Sequence, residues 1–222
     1  LQGRDTAGKD GTIREVFAAT NPQGTRVTAF GVPSTLERSH DYLWRVHAAV
    51  PPRGMIGIFN RSHYEDVLVA RVHGLVPEAT WSRRYRHIAE FERMLVEEGT
   101  VVLKFFLHVS RAEQAERLRK RLAKPDKNWK FDAKDLDDRL RWHAYTLAYR
   151  DAFRETSTEW APWYVVPADD KKVRNLLVAR TIVDALEALP LEPPRIERGK
   201  LDALQAALEA QLAAEEAEGA RG

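Results

Sequence analysis

The sequence contains no cysteine, and this absence excludes disulfide bonds, thiol nucleophiles and thiolate metal sites. No apolar run approaches the roughly 20 residues that a membrane-spanning helix needs, and no signal peptide opens the chain. The formal net charge is only +2 although 31% of the residues are charged, which argues against a histone-like or acidic-tail protein. We therefore expect a soluble, cytoplasmic protein with no membrane partner.

The first dozen residues contain the strongest local motif. Gly3 and Gly8 bracket a loop that fits G-x-x-x-x-G-K, and Lys9 places a positive charge at the start of the next helix. Backbone N–H groups of such a loop can converge on a phosphate, so phosphoryl chemistry is the leading hypothesis. Asp10 stands where a nucleotide-hydrolysing P-loop protein has Ser or Thr, which weakens the interpretation of the chain as a generic ATP- or GTP-hydrolysing protein. A glycine-rich turn that merely joins a strand to a helix is the rival.

Asp5 lies inside this loop, where its carboxylate would repel a phosphate unless a cation lay between them. Its presence predicts a metal ion at the site. A phosphate loop normally follows a buried strand, whereas only Leu1 and Gln2 precede Gly3. We therefore expect the first strand to begin in a segment upstream of Leu1.

Strand and helix patterns alternate along the rest of the chain. Short β-branched or apolar runs predict strands at residues 26–30, 55–60, 100–109 and 163–166. Helical spacing predicts helices at residues 12–19, 36–50, 134–156 and 173–189. One more helix carries a predicted core stripe of Trp81, Tyr85, Ile88, Phe91 and Leu95. In such α/β folds ligands bind beyond the carboxyl ends of the strands.

Two further stretches have the composition of a binding site. The polar string at residues 60–66, which includes Asn60, Arg61 and Glu65, directly follows a predicted buried strand. The most basic stretch sets seven cations against the single carboxylate of Asp126: Arg117, Arg119, Lys120, Arg121, Lys124, Lys127 and Lys130. This one-sidedness indicates an anionic partner, and a solvated helix face is the alternative.

Together these strings resemble the family-2 polyphosphate kinases, which are P-loop enzymes. The matching residues are 3–12, 59–66, 127–131 and 161–171. The resemblance implies an α/β, thymidylate-kinase-like P-loop kinase fold, with a parallel sheet flanked by helices and a helical basic lid. Residues 1–190 would form the phosphotransferase domain, with the lid at about 111–135, and residues 191–222 a C-terminal helical tail.

The resemblance also implies the activity, which is phosphoryl transfer between inorganic polyphosphate and AMP or ADP with Mg²⁺. Many family members carry Asp where this chain has Asn60, and Asn is a poorer metal ligand, so Glu65 and Asp66 are expected to compensate. This pattern is similar to the subgroup that accepts AMP as well as ADP. The expected nucleotides are those of adenine, with guanine left open.

The roles implied for individual residues fall into three groups. The transferred phosphoryl group would lie between Lys9 and Arg61, with Mg²⁺ held by Asp5 and Glu65 and with Asn60 nearby. Phosphate and polyphosphate contacts are expected from Gly3, Arg4, Gly8, Lys9, Asp10, Gly11, Arg117, Arg121, Lys127 and Lys130. Gly31, Pro33 and Arg38 are candidate nucleotide contacts because they follow a strand end.

Two other functions remain open at this point. One is an ATP-dependent nucleoside monophosphate kinase, which shares the fold and the loop. The other is a non-catalytic polyanion- or RNA-binding module, although we expect no nucleic-acid partner, because such a module would leave Asp5 and Glu65 without a purpose. Leu201, Leu204, Leu208 and Leu212 mark an amphipathic helix that either packs on its own domain or dimerises, and we expect a homo-oligomer.

Overall fold

The computed structural model describes residues 1–126, 128–192 and 195–219. Its strands are β1 (Gln2–Gly3), β2 (Thr25–Ala29), β3 (Ile56–Asn60), β4 (Lys104–His108) and β5 (Trp163–Pro167). All pairings are parallel, in the orders β1-β4-β5 and β2-β3.

Leu1 joins these two groups of strands. Its backbone N donates to the carbonyl oxygen of Phe59 at 2.8 Å, and its carbonyl oxygen accepts from the backbone N of Arg61 at 3.1 Å. This is the hydrogen-bond pattern of parallel neighbours. The resulting order is β2-β3-β1-β4-β5, so the carboxyl ends of β1 and β3 lie side by side.

The helices flank these strands. They are α1 (Lys9–Val16), α2 (Thr35–Arg38), α3 (Trp44–His47), α4 (Glu65–Val72), α5 (Glu78–Glu97), α6 (Arg111–Ala123), α7 (Ala133–Leu140), α8 (Trp142–Thr156), α9 (Lys171–Glu187) and α10 (Arg198–Gly219). Two 3₁₀ turns occupy Pro22–Gly24 and Asn128–Lys130. The α/β fold with a parallel sheet flanked by helices is therefore confirmed.

One helix predicted at residues 36–50 was wrong, because the structure has the short α2 and α3 there. Side chains between them bind the local backbone instead. Ser39 Oγ donates to Leu36 O at 2.7 Å, and Asp41 Oδ1 accepts from Leu43 N at 2.9 Å. Such bonds offer the backbone an alternative to the helical ladder.

The long helix predicted at residues 134–156 is also interrupted, at Arg141 between α7 and α8. The carbonyl oxygen of Trp142 accepts from Arg4 Nη2 at 3.3 Å and from Thr146 Oγ1 at 2.8 Å. Both bonds lie in the first turn of α8, just beyond the interruption. The strand predicted at residues 100–109 is shorter than expected, at Lys104–His108.

The core lies on both faces of β4, which is buried at four of its five residues. One face packs Phe106 against α4, α5 and α8, while the other packs Phe105 and Leu107 against α9. Burial on both faces is typical of a central parallel strand. Tyr85, Ile88 and Phe91 are buried as predicted for the core stripe of α5.

The chain divides into two compact units, Leu1–Ala185 and Leu186–Gly222. The first contains all of the strands described above. In the part of the chain that the structure describes, no helix has the length and apolar character needed to span a membrane.

Candidate active site

The phosphate loop runs from β1 to α1, and its path requires two of its glycines. A Cβ on Gly3 would lie 2.8 Å from the carbonyl oxygen of Leu107. Gly8 has a φ of 102°, in the left-handed region, and a Cβ there would clash with the guanidinium of Arg174. Gly11 is less constrained, because its Cβ would meet only Arg174 Nη2, at 3.7 Å.

Lys9 begins α1 and turns its side chain back into the loop. Its Nζ donates to the carbonyl oxygens of Gly3 at 2.7 Å and Arg4 at 3.5 Å. Burial lowers the pKa of the Lys9 ammonium, an effect that the charge of Asp5 opposes. The loop therefore encloses a cation that is largely withdrawn from water.

Arg61 follows β3 with a backbone φ of 61°, a left-handed conformation that costs a non-glycine residue on the order of 1–3 kcal/mol. Its guanidinium lies between two carboxylates, with Nη2 3.4 Å from Asp5 Oδ1 and Nη1 3.8 Å from Glu65 Oε2. Burial lowers the pKa of Arg61, but Glu65 and Asp5 outweigh it and the pKa is raised. Arg61 is thus held as a cation at the mouth of the loop.

Glu65 lies in the first turn of α4, where the positive end of the helix dipole favours a carboxylate. Burial nevertheless raises the pKa of its carboxyl group, and the nearby charges of Arg61 and Lys9 oppose that rise. Glu65 is therefore a carboxylate that would gain from an additional cation.

A single pocket gathers most of these side chains. It is lined by Gly3, Arg4, Asp5, Arg61, Glu65, Leu68, Val69, Gln114, Asp138, Tyr145 and Tyr149. Lys9 lies beside it, close enough to Asp5, Arg61 and Glu65 for their charges to affect its pKa. The structure thus brings together four predicted site residues that lie up to 60 positions apart in the chain.

Asn60 ends β3, and its amide Nδ2 donates to Asp10 Oδ1 at 2.7 Å. The two positions that differ from the expected motifs therefore contact each other. An Asp at position 60 would bring two carboxylates together, whereas Asn forms a neutral-to-charged hydrogen bond. The amide nitrogen of Asn60 is committed to this bond.

Arg4 lines the pocket but is held by α8. Its Nη2 donates to Thr146 Oγ1 at 2.6 Å, and its guanidinium carbon lies 3.9 Å from the ring centre of Trp142. Within the described residues its buried Nε has no hydrogen-bond partner. Arg4 is thus part of the pocket wall, with one donor still unsatisfied.

Arg117, predicted to contact polyphosphate, instead joins parts of the fold. Its Nη1 donates to the carbonyl oxygens of Thr6 and Ala7, and its Nη2 to those of Ala168 and Asp169, all within 3.3 Å. Only 10% of its side chain is exposed. Arg117 therefore ties the phosphate loop to α6 and to the segment that follows β5.

The other predicted lid contacts differ from one another. Arg121 forms an ion pair with Asp135 at 3.1 Å. Lys127 and the side chain of Lys130 lie outside the described residues. The basic stretch is also less one-sided than its sequence indicated, because Glu116 pairs with Arg119 and Lys120 within α6.

A second pocket follows β2 in the fold and contains two of the predicted nucleotide contacts, Pro33 and Arg38. Its full lining is Pro33, Glu37, Arg38, His40, Asp41, Tyr42, Arg45, Asp66, Thr80, Arg83, Arg84 and His87. Gly31 contributes indirectly, because its carbonyl oxygen accepts from Arg45 at 2.9 Å. Asp66 pairs with Arg45 and Arg84 and lines this second pocket, whereas Glu65 lines the first.

Several residues of the first pocket were not predicted from the sequence. Gln114 is buried and donates to the carbonyl oxygen of Asp5 at 3.2 Å. Tyr145 and Tyr149 line the pocket from α8, four residues apart, and from the sequence this spacing predicts only a helix. No local motif marks these positions, because their neighbours in the pocket are distant in the sequence.

The strand order and the glycine-bracketed loop at the edge of parallel strands define a P-loop kinase fold. The family model described as Polyphosphate kinase 2 matches residues 1–192. This chain therefore belongs to the polyphosphate kinase 2 family, which confirms the resemblance inferred from its motifs.

Individual relatives agree with this assignment. A protein of Meiothermus ruber named AMP/ADP-polyphosphate phosphotransferase is 58% identical over 197 residues, covering 89% of this chain and 74% of that protein. The ADP-polyphosphate phosphotransferase of Rhodopseudomonas palustris is 46% identical over 206 residues, covering 87% and 71%. A crystal structure of polyphosphate kinase 2 from Arthrobacter aurescens TC1 has a TM-score of 0.89 at 45% identity, covering 93% of this chain and 74% of that one.

Proposed function

We propose that this chain transfers a phosphoryl group between inorganic polyphosphate and AMP or ADP, which forms ADP or ATP. The observation that carries this proposal is the meeting of Lys9, Arg61, Asp5 and Glu65 around the mouth of the phosphate loop. Relatives named for polyphosphate transfer to AMP or ADP share most of this chain, which supports the choice of donor and acceptor.

Lys9 and Arg61 act by compensating charge. In the transfer, the bond between the terminal phosphorus of the donor chain and its bridging oxygen breaks, and that phosphorus bonds to a terminal phosphate oxygen of the nucleotide. The acceptor oxygen is already anionic, so no strong general base is required. Lys9 and Arg61 place their own positive charges beside the transferred group. Such preorganised charge is the main source of catalysis in phosphoryl transfer.

Asp5 and Glu65 would hold Mg²⁺. Both offer carboxylate oxygens, the ligands that Mg²⁺ prefers, and both line the same pocket. The raised pKa of Glu65 fits this assignment, because a bound dication would favour the ionised carboxylate. When bound, the metal neutralises charge on phosphate oxygens.

The second pocket is our candidate for the acceptor nucleotide. Its lining has four arginines against three carboxylates, so a small excess of positive charge remains for a phosphate group. Arginine recognises phosphate through paired N–H donors, which suits this role. We expect adenine to be the preferred base, and guanine nucleotides serve as the comparison acceptors.

The deciding experiment measures ATP formed from AMP, and separately from ADP, with polyphosphate and Mg²⁺ as the only other reactants. ATP from both acceptors is the expected result, and ATP from ADP alone would restrict the acceptor. Failure with polyphosphate, together with ADP formation from AMP and ATP, would instead establish a monophosphate kinase. GMP and GDP in the same assay give the base preference.

Lys9→Met tests the site assignment directly. Loss of the buried cation should lower kcat at least about 100-fold, the usual effect of removing one preorganised charge-stabilising group. Lys172→Met is the matched control, since Lys172 is exposed on α9, and it should remain fully active. Circular dichroism establishes that both variants are folded, and an active Lys9→Met enzyme would refute the assignment.

A further inference from the structure

Arg174 is a buried cation directly behind the phosphate loop. It lies at the start of α9, and its exposed fraction is 2%. Its Nη1 donates to the carbonyl oxygen of Ala7 at 3.2 Å. Its Nε and Nη2 donate to Asn175 Oδ1 at 3.1 and 2.8 Å. All three bonds end on neutral oxygens, so they leave the charge of Arg174 without compensation.

The surroundings of this guanidinium are positive. Arg117 donates to the same Ala7 carbonyl oxygen at 3.3 Å, but Arg117 also pairs with Glu113 at 2.8 Å. The N-cap residue of α1, Gly8, lies against the guanidinium of Arg174. The N-terminus of a helix is the positive end of its dipole, so this contact disfavours a cation. Arg174 is thus placed where an anion would be favoured.

The pKa of Arg174 reflects the same imbalance. Burial lowers this pKa and the charge of Arg117 lowers it further, whereas the charge of Glu15 opposes both effects. Among the residues that the structure describes, no carboxylate forms an ion pair with Arg174. A guanidinium nevertheless stays protonated in proteins, and a buried charge without a partner is costly. An anion bound at the loop would offset this cost.

The bonds to Ala7 also orient the peptide unit that leads into α1. In a trans peptide the carbonyl and the N–H point in opposite directions. Because Arg117 and Arg174 both bind the Ala7 carbonyl oxygen, the N–H of Gly8 points away from them. N–H groups at the start of a helix have no partner within the helix and are suited to binding phosphate. The two arginines therefore hold this N–H group in the direction of an anion.

We propose that Arg174 is a positioning residue for polyphosphate. From behind the loop it fixes the Ala7–Gly8 peptide and supplies a positive charge that a bound polyanion neutralises. It acts through the loop rather than by touching the substrate, because its side chain is buried. This role rests on the proposed function, since it requires the loop to bind a phosphate chain, and binding by the unaltered protein tests that requirement separately.

Binding of tripolyphosphate in the presence of Mg²⁺, measured by isothermal titration calorimetry, tests this role. Arg174→Gln keeps an amide donor but removes the charge, and it should raise Kd at least about 10-fold, because a nearby unit charge at low effective dielectric attracts phosphate strongly. Arg174→Lys keeps the charge and should recover most of the affinity. Arg180→Gln is the matched control, since Arg180 is an exposed arginine of the same helix, and its Kd should not change.

Urea denaturation separates positioning from a purely structural role. Removal of the charge also removes its repulsion by Arg117, so ligand-free Arg174→Gln should unfold at a midpoint close to that of the unaltered protein. Tripolyphosphate should then raise the midpoint of Arg174→Gln less than that of the unaltered protein. A purely structural residue would give the reverse pattern, with a lower ligand-free midpoint and an unchanged Kd. An Arg174→Gln protein that does not fold would likewise refute the proposal.

Failure of this inference can be told apart from failure of the proposed function. If the unaltered protein does not bind tripolyphosphate, the loop is not a polyphosphate site and both fail. If the unaltered protein binds and Arg174→Gln binds equally well, the proposed function stands and the role of Arg174 is refuted. Equal losses of affinity in Arg174→Gln and Arg174→Lys would contradict the contribution of its charge.

Discussion

A buried ion pair lies behind the polar string of the site. Lys104 Nζ lies 2.6 Å from Glu92 Oε2, and both side chains are almost fully buried. The other carboxylate oxygen of Glu92 accepts from Tyr64 Oη at 2.9 Å and lies 3.2 Å from His63 Nε2. Because His63 and Tyr64 lie between Arg61 and Glu65 in the chain, this pair supports the segment that carries both site residues.

Lys104→Met should therefore be strongly destabilising. Burial already lowers the pKa of Lys104, and removal of its charge would leave Glu92 buried without its cation. The expected loss is about 3–5 kcal/mol in the free energy of unfolding, measured by urea denaturation. A second change, Glu92→Gln, keeps an acceptor for Tyr64 and should recover part of the loss. If the double variant were less stable than Lys104→Met, the unpaired-charge explanation would fail.

Residue types at short spacing could be recognised from the sequence, and long-range partners could not. Gly3, Gly8 and Lys9 lie within one loop, so local chemistry sufficed to select them. The contacts of Arg174 with that loop span more than 160 positions, and nothing near Arg174 in the sequence indicates them. Arg117 was selected for its charge alone, whereas its role depends on carbonyl groups at residues 6–7 and 168–169.

At the level of elements, α6 presents two kinds of basic residue. Arg117 is tied to backbone carbonyls on the inner side of the helix. Arg119 lies on its exposed side, and Lys124, also exposed, directly follows its last residue. The first kind maintains the fold, and the second remains accessible to a polyanion in solution.

This difference predicts opposite results for two sets of variants. Arg119→Gln combined with Lys124→Gln should raise KM for long-chain polyphosphate about 3- to 10-fold, since each exposed cation contributes only modest attraction. KM for AMP should not change. Arg117→Gln should instead lower the melting temperature and reduce kcat with either substrate. Equal effects of the exposed pair on both substrates would argue against polyphosphate binding at α6.

The elements that the sequence predicted poorly are two helices whose interruptions leave the apolar pattern unchanged. Periodicity correctly indicated α5, because side-chain burial there follows a regular repeat. The apolar run at residues 55–60 correctly indicated the position of β3, but the prediction that this strand is buried was wrong, since only Ile58 is buried in it. Periodicity failed at residues 36–50, where Ser39 and Asp41 bind backbone groups that a continuous helix would use. It also failed at residues 134–156, where the predicted helix is interrupted at Arg141. Neither interruption changes the apolar pattern, so the pattern could not locate either break.

For the whole molecule, a net charge of +2 means that any attraction for polyphosphate is local rather than global. We expect KM for polyphosphate to rise with salt, and to rise more steeply for long chains than for short ones, because longer chains contact more cations. KM for ADP should depend on salt less strongly. Steady-state kinetics between low and physiological ionic strength measure both slopes, and identical slopes would contradict a multi-cation polyphosphate site.

The bonds of Arg117 also fix the position of α6. They fasten the first two turns of this helix to the phosphate loop and to the segment after β5. Because α6 continues without interruption to Ala123, its later cations, Arg119 and Lys120, are held at a constant distance from Lys9 and Arg61. A polymer that bound along α6 would therefore follow the same path to the phosphate loop at every turnover.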